Sequence, residues 1–145
     1  MNNPPRILIV EDEPNMRELV KARLELAGYA VAVAPDGFAG IGKAREFGPD
    51  LVILDLMLPR VDGYTVCRML KSGGFEKVPV ILFSARSAPE DARRGQEMGA
   101  DAFVSKPFEQ EVLLAKIAEL LEAKRKAEPA VAPGLAPAPE TPKPA

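Results

Sequence analysis

Leu51-Val52-Ile53-Leu54-Asp55-Leu56-Met57-Leu58-Pro59 is the stretch on which the fold turns. Four apolar residues run without a polar break and stop at an acid, and a run of that length reads as a strand buried on both faces. Such a strand belongs to a parallel sheet covered by helices. The carboxylate of Asp55 must then emerge at the strand's carboxyl end, where open α/β sheets place their chemistry.

On either side the same alternation repeats. Arg6 to Val10 reads as a buried strand, and Pro14 to Ala27 carries Met16, Leu19, Val20, Leu24 and Ala27 at the spacing of one helix face, with Gly28 stopping it. Tyr29 to Ala34 predicts a second strand. Asp36 caps a helix to about Phe47, and Gly48, Pro49 and Asp50 punctuate before the central strand. Val61 to about Lys71 predicts a third helix, Val78 to Phe83 a fourth strand, and Pro89 to Met98 a fourth helix ended by Gly99. Ala102 to Ser105 reads as the fifth strand and Phe108 to about Lys126 as the last helix. The alternation predicts an α/β fold, a five-stranded parallel sheet with right-handed crossovers that put helices on both faces, for which the doubly wound order 2-1-3-4-5 is taken.

The 145 residues, 47% of them hydrophobic, suffice for one domain with a proper core, expected over residues 1–126. From Ala127 the composition turns to Ala and Pro with Gly134, so residues 127–145 are expected to form a disordered or partly extended tail. That tail reads either as a solvated, truncated linker or as a docking segment for a Pro-recognising partner. Nineteen basic residues against twenty-one acidic give a formal charge of -2, without the dense Lys/Arg run that grips phosphate backbones, which speaks against direct nucleic-acid binding. Cys67 is the sole cysteine, at an apolar-patterned helical position, and reads as a small buried hydrophobe. Neither a signal peptide nor an apolar stretch of the roughly 20 residues that span a bilayer is present, so the expected location is cytoplasmic, with no membrane insertion.

The candidate chemistry gathers at three strand ends. Glu11, Asp12 and Glu13 follow the first strand, Asp55 ends the third, and Ser105, Lys106 and Pro107 follow the fifth. In the order 2-1-3-4-5 these ends lie at or beside the point where the strand order reverses. Converging carboxylates repel unless a cation is shared, and oxygen-only ligands with room for water suit Mg²⁺ better than zinc or copper. Taken alone, Glu11 and Asp12 also fit a helix start that favours acids ahead of Pro14, Ser84 fits an ordinary strand end, and Asp62 with Gly63 fits a turn and helix-start signal.

Taken together, Ile7 to Asp12 (ILIVED), Asp55 to Tyr64 (DLMLPRVDGY), Val80 to Ala85 (VILFSA), Gly99 to Phe103 (GADAF) and Lys106-Pro107-Phe108 resemble a response-regulator receiver domain of two-component signalling, over roughly residues 5 to 125. The resemblance implies a flavodoxin-like receiver fold in which Asp55 accepts a phosphoryl group. It implies that Glu11, Asp12, Asp55 and the backbone carbonyl of Met57 hold Mg²⁺, and that Ser84 and Lys106 contact the phosphoryl oxygens. It further implies a switch in which Phe103 turns inward as Ser84 is drawn to the phosphoryl group, and a Lys106-Pro107 bond whose cis form would aim the amine into the site. A histidine kinase or histidine phosphotransfer protein would be the donor, since the chain contains no histidine. The output would pass from a surface of helix 4, strand 5 and helix 5 to a downstream protein or into a weak phosphorylation-dependent dimer. By this reading the chain is a single-domain response regulator that assists its own phosphorylation and dephosphorylation, and not an enzyme with a separate substrate.

Met57 and Arg86 stand where chemotaxis receivers tend to carry polar residues, which predicts slower water attack on the acylphosphate. Other classes fit less well. A haloacid-dehalogenase phosphatase wants a second Asp where Met57 stands, and the acidic, glycine-free turn after the first strand is hostile to an FMN phosphate. A phosphorylation-independent scaffold and a receiver fragment of a longer regulator are the remaining alternatives.

Overall fold

The computed structural model describes residues 3–85, 88–106 and 109–127. Its elements alternate along the chain: β1 (Arg6–Val10), α1 (Pro14–Leu26), β2 (Ala30–Ala34), α2 (Gly37–Phe47), β3 (Leu51–Asp55), α3 (Gly63–Ser72), β4 (Val80–Ser84), α4 (Pro89–Glu97), β5 (Ala102–Ser105) and α5 (Gln110–Ala127). The strands form one parallel sheet, as the alternation predicts, in the order β2-β1-β3-β4-β5 expected of a receiver-like fold. β3 and β4 are buried along their whole length, and each is apolar up to a buried polar residue at its carboxyl end, Asp55 and Ser84.

Two apolar layers flank the sheet. On one side Leu8, Val10, Val52, Leu54, Val80 and Leu82 pack with Ala44 of α2 and with Tyr64, Val66, Cys67 and Leu70 of α3. On the other, Ile7, Ile9, Leu51, Ile53, Ile81 and Phe83 pack with Val20 and Leu24 of α1 and Leu113 and Ile117 of α5. Cys67 is buried as expected, and burial pushes its thiol up to about 11. No helix among the described residues is long and apolar enough to cross a membrane.

Several boundaries shift, each for a local reason. Tyr29 does not open β2, because its N–H donates to the Leu24 carbonyl across Gly28, which sits at φ 101° and closes α1. β4 begins at Val80, after Pro79, which has no N–H to give to a ladder. α3 begins at Gly63, because the Asp62 carboxylate accepts from the Thr65 N–H and so stands as the cap. α5 begins at Gln110 and runs through Ala127, one residue beyond the expected end. The expectations for residues 128–145, for Arg86, and for the Lys106-Pro107 bond and Phe108 fall outside the described residues.

Candidate functional site

Register brings the acids together. Val10 pairs with Leu54 and Asp55 pairs with Phe83, so Glu11, one residue past β1, stands level with Asp55 at the end of β3. At the next step Ser84 pairs with Ser105, and the Lys106 N–H donates to the Ser84 carbonyl at 2.7 Å, which carries the lysine to the same end of the sheet.

Glu11 is held on every side. Its N–H donates to the Ala34 carbonyl at 3.1 Å, and its carbonyl, beyond the last ladder bond of β1, accepts from Arg17 Nη1 at 2.9 Å. Its Oε2 accepts from the Glu13 N–H at 3.0 Å and its Oε1 from Lys106 Nζ at 3.0 Å. Burial pushes the Glu11 carboxyl up to about 7, with the charge of Asp55 adding to the rise and the Glu13 N–H and Lys106 opposing it. The carboxylate of Glu13 caps α1 by accepting from the Met16 N–H at 2.6 Å.

Asp55 is only 4% exposed. Its Oδ1 accepts from the Met57 N–H at 3.1 Å and its Oδ2 lies 3.4 Å from Lys106 Nζ. Asp12 completes the group from an exposed position, and Glu11, Asp12 and Asp55 each offer a carboxylate oxygen within 4.8 Å of the others. Lys106 Nζ also stands 4.6 Å from the centre of the Phe83 ring, a cation over an aromatic face. One ammonium thus serves two buried carboxylates while a third acid waits at the rim. All the donors are carboxylate oxygens, which suits a hard dication and not a thiophilic one.

The loop after Asp55 is built tightly. The Gly63 N–H donates to the Leu56 carbonyl at 2.9 Å, and a Cβ on Gly63 would fall 2.5 Å from the Asp55 carbonyl oxygen and 2.7 Å from Leu56 Cα. Only glycine lets α3 start against the backbone of Asp55. Arg60 stands at φ 68°, a conformation that costs a non-glycine residue about 1 kcal/mol or more, and its guanidinium pairs with Asp36 at 3.1 Å.

The structure therefore brings together Glu11, Asp12, Asp55 and Lys106 as expected. Ser84 is fully buried at the end of β4, and Phe103 is half-buried on β5 against the apolar layer of α2 and α3. The Met57 side chain is 54% exposed beside the site while its backbone N–H holds Asp55. Three contributors escaped the sequence reading. Gly63, with Asp62, reads as a turn and helix-start signal, which α3 bears out, but its close approach to the Asp55 carbonyl has no mark in the sequence. Glu13 acts as the helix cap in place of Glu11 or Asp12. Arg17 on α1 carries no local signal for reaching back to Glu11.

Known proteins share this frame. The response regulator receiver domain model matches residues 7–118. The chain is 44% identical over 118 residues to the DNA-binding dual master transcriptional regulator RpaA of Synechocystis sp., a match covering 81% of this chain and 49% of that protein. It is 41% identical over 121 residues to the transcriptional regulatory protein CseB of Streptomyces coelicolor, covering 83% of this chain and 51% of that protein. The chain thus spans about half the length of these curated relatives. Among solved structures, a CheY-like response regulator receiver domain protein from Methanospirillum hungatei superimposes with a TM-score of 0.81 at 28% identity, over 85% of this chain and 98% of that one.

Proposed function

The chain belongs to the response regulator receiver domain family of two-component signalling, and on that premise we propose that Asp55 is its phosphoacceptor. The observation that carries this reading is the meeting of Glu11, Asp12 and Asp55 within 4.8 Å, with Lys106 Nζ 3.0 Å from Glu11 and 3.4 Å from Asp55. Asp55 Oδ attacks phosphorus while the P–N bond of a phosphohistidine in the donor breaks, and the imidazole leaves with its electron pair. A P–O bond forms on the carboxylate, and hydrolysis by water later returns Asp55 and inorganic phosphate. The chain thus takes part in its own phosphorylation and dephosphorylation and has no separate substrate to turn over.

Each neighbour has a task in that step. The Met57 N–H fixes one Asp55 oxygen, so the carboxylate presents a defined edge. Lys106 is placed to follow charge onto the equatorial phosphoryl oxygens. Glu11, Asp12 and Asp55 form the oxygen set that would hold Mg²⁺, with the Met57 carbonyl as the further ligand the family resemblance implies. When bound, Mg²⁺ would neutralise charge on the phosphoryl oxygens. Ser84 would donate its hydroxyl to the phosphoryl group, and Phe103 would report the change on the α4, β5 and α5 surface.

The donor is a histidine kinase or histidine phosphotransfer protein met in trans, in the cytoplasm. DNA binding is named for the Synechocystis relative, a protein about twice the length of the match, and this stretch has no dense basic run to make that contact itself. The readout therefore passes to another protein, to a second copy, or to further sequence of a longer regulator. Incubation with Mg²⁺ and a small acylphosphate, followed by intact mass, tests the core of the proposal. One added phosphoryl group on the parent and none on Asp55→Asn is expected; no added mass, or equal labelling of Asp55→Asn, would overturn it.

A further inference from the structure

α4 is attached unlike the other helices that flank the sheet. Of its nine residues, Pro89–Glu97, the two buried ones are Asp91 and Gly95, so no apolar side chain of this helix enters the core. Its cap position holds Ala88, which has no side-chain acceptor to offer the first turn. Its C-cap residue, Met98, rests half-buried on the core, and the contacts along the helix itself gather on Tyr64, the second residue of α3, which is itself buried.

Three contacts from successive turns meet that one side chain. The Tyr64 hydroxyl lies 3.0 Å from the Asp91 carbonyl oxygen and 3.2 Å from its Oδ1, in a spot where Asp91 is 5% exposed. The Arg94 guanidinium stands 4.5 Å from the centre of the Tyr64 ring. A Cβ on Gly95 would come within 3.8 Å of the ring and 2.8 Å of Leu82, so the α4 backbone lies directly on ring and sheet. Tyr64 in turn follows Gly63, the residue that packs on the Asp55 carbonyl. A groove of about 210 Å³ beside Tyr64 and Arg94, bounded also by Met57 and Asp62, leaves these groups room to rearrange.

We propose that Tyr64 is a positioning residue whose hydroxyl and ring form a latch seating α4, and that through Gly63 this latch joins the seat of α4 to the strand end that carries Asp55. A helix held by a shared hydroxyl proton and a stacked cation opens more readily than one held by a packed apolar face. The route runs through α3, and it meets the Phe103 side of the switch at Gly95, where a Cβ would stand 3.7 Å from the Phe103 ring. Its link to Asp55 rests on the phosphoacceptor reading; the seating of α4 does not.

Amide hydrogen exchange on the full, unphosphorylated chain tests the seating. Tyr64→Phe removes the hydroxyl and keeps the ring, and exchange over residues 89–98 is expected to run about tenfold faster while β1, β3 and α1 keep the parent's rates. Arg94→Met should produce a smaller acceleration in the same segment. Unchanged α4 exchange in Tyr64→Phe overturns the latch, and so does acceleration spread evenly over the sheet, which marks general loosening of the core. The link to Asp55 is read from the rate of acylphosphate labelling. With the two joined, releasing α4 changes how the loop between Asp55 and Gly63 meets the donor, and Tyr64→Phe is expected to label at a rate several-fold different from that of the parent. Equal rates overturn the link. Absence of label on both proteins refutes the phosphoacceptor reading instead, while the exchange data still decide the latch.

Discussion

At the amino end of the sheet Asp50 accepts from the Arg6 N–H at 2.8 Å and lies 3.6 Å from Lys124, whereas at the carboxyl end Glu11 and Asp55 share Lys106 with Asp12 close beside them. The first arrangement pairs exposed charges one to one and ties the strand starts to α5. The second crowds acids, two of them buried, around one shared cation. A groove of about 490 Å³ lies at the amino end between Pro5, Tyr29, Asp50 and α5, where Asp50 pairs with Lys124 and Glu122 with Arg125. Crowded charge marks a candidate site better than the size of a hollow does.

That contrast can be broken most directly by exchanging one acid from each end. Asp55→Asn should abolish acylphosphate labelling in an intact-mass assay, while Asp50→Asn should label like the parent; loss of label in both would show that the two ends are not distinct in function. Backbone clearance gives the next largest effect. Gly63→Ala would force a Cβ against the Asp55 carbonyl and should destabilise the fold by about 2–3 kcal/mol in urea titration. Gly42→Ala, in the exposed middle of α2 with nothing within 4 Å, should instead stabilise by roughly 0.5–1 kcal/mol.

Opposite signs are expected from neutralising charge. Without Mg²⁺, Asp55→Asn removes a buried charge from beside Glu11 and should raise stability by about 1 kcal/mol, a common cost of a functional site reversed. Asp50→Asn weakens an exposed pairing and should lower stability by about 0.5–1 kcal/mol. Adding Mg²⁺ should raise the Tm of the parent and leave that of Asp55→Asn nearly unmoved. The smallest effect concerns the exposed Met57 side chain. Met57→Asn should lose phosphate a few-fold faster than the parent, followed by mass after the donor is removed, because a polar group there can hold the attacking water.

Much of this frame was legible from the chain alone. β1, β3 and β4 announce themselves because burial on both faces leaves no place for a polar residue, and the strand-end acids follow from where those runs stop. Sheet order then brings Glu11, Asp55 and Lys106 together. What the sequence concealed depends on approach between distant segments. Gly63 has the composition of an ordinary turn, and its real constraint, the closeness of the Asp55 carbonyl, exists only once α3 packs. Asp91 and Arg94 stand on a helix that the pattern places, but their meeting with Tyr64, 27 residues before Asp91, comes only with folding. Element ends slipped for similar reasons: Tyr29 spends its N–H on the α1 terminus, and Asp62 is consumed as a cap.

Lys106 meets Glu11 across 95 residues of chain. A growing polypeptide therefore carries its acids long before it carries the cation that reconciles them, and β5, the last strand of the sheet, must be laid down before the set is whole. Partly made or partly folded molecules hold the carboxylates without the ammonium that pairs them, so this cluster of acids and cation exists only in a chain that has folded as far as its fifth strand.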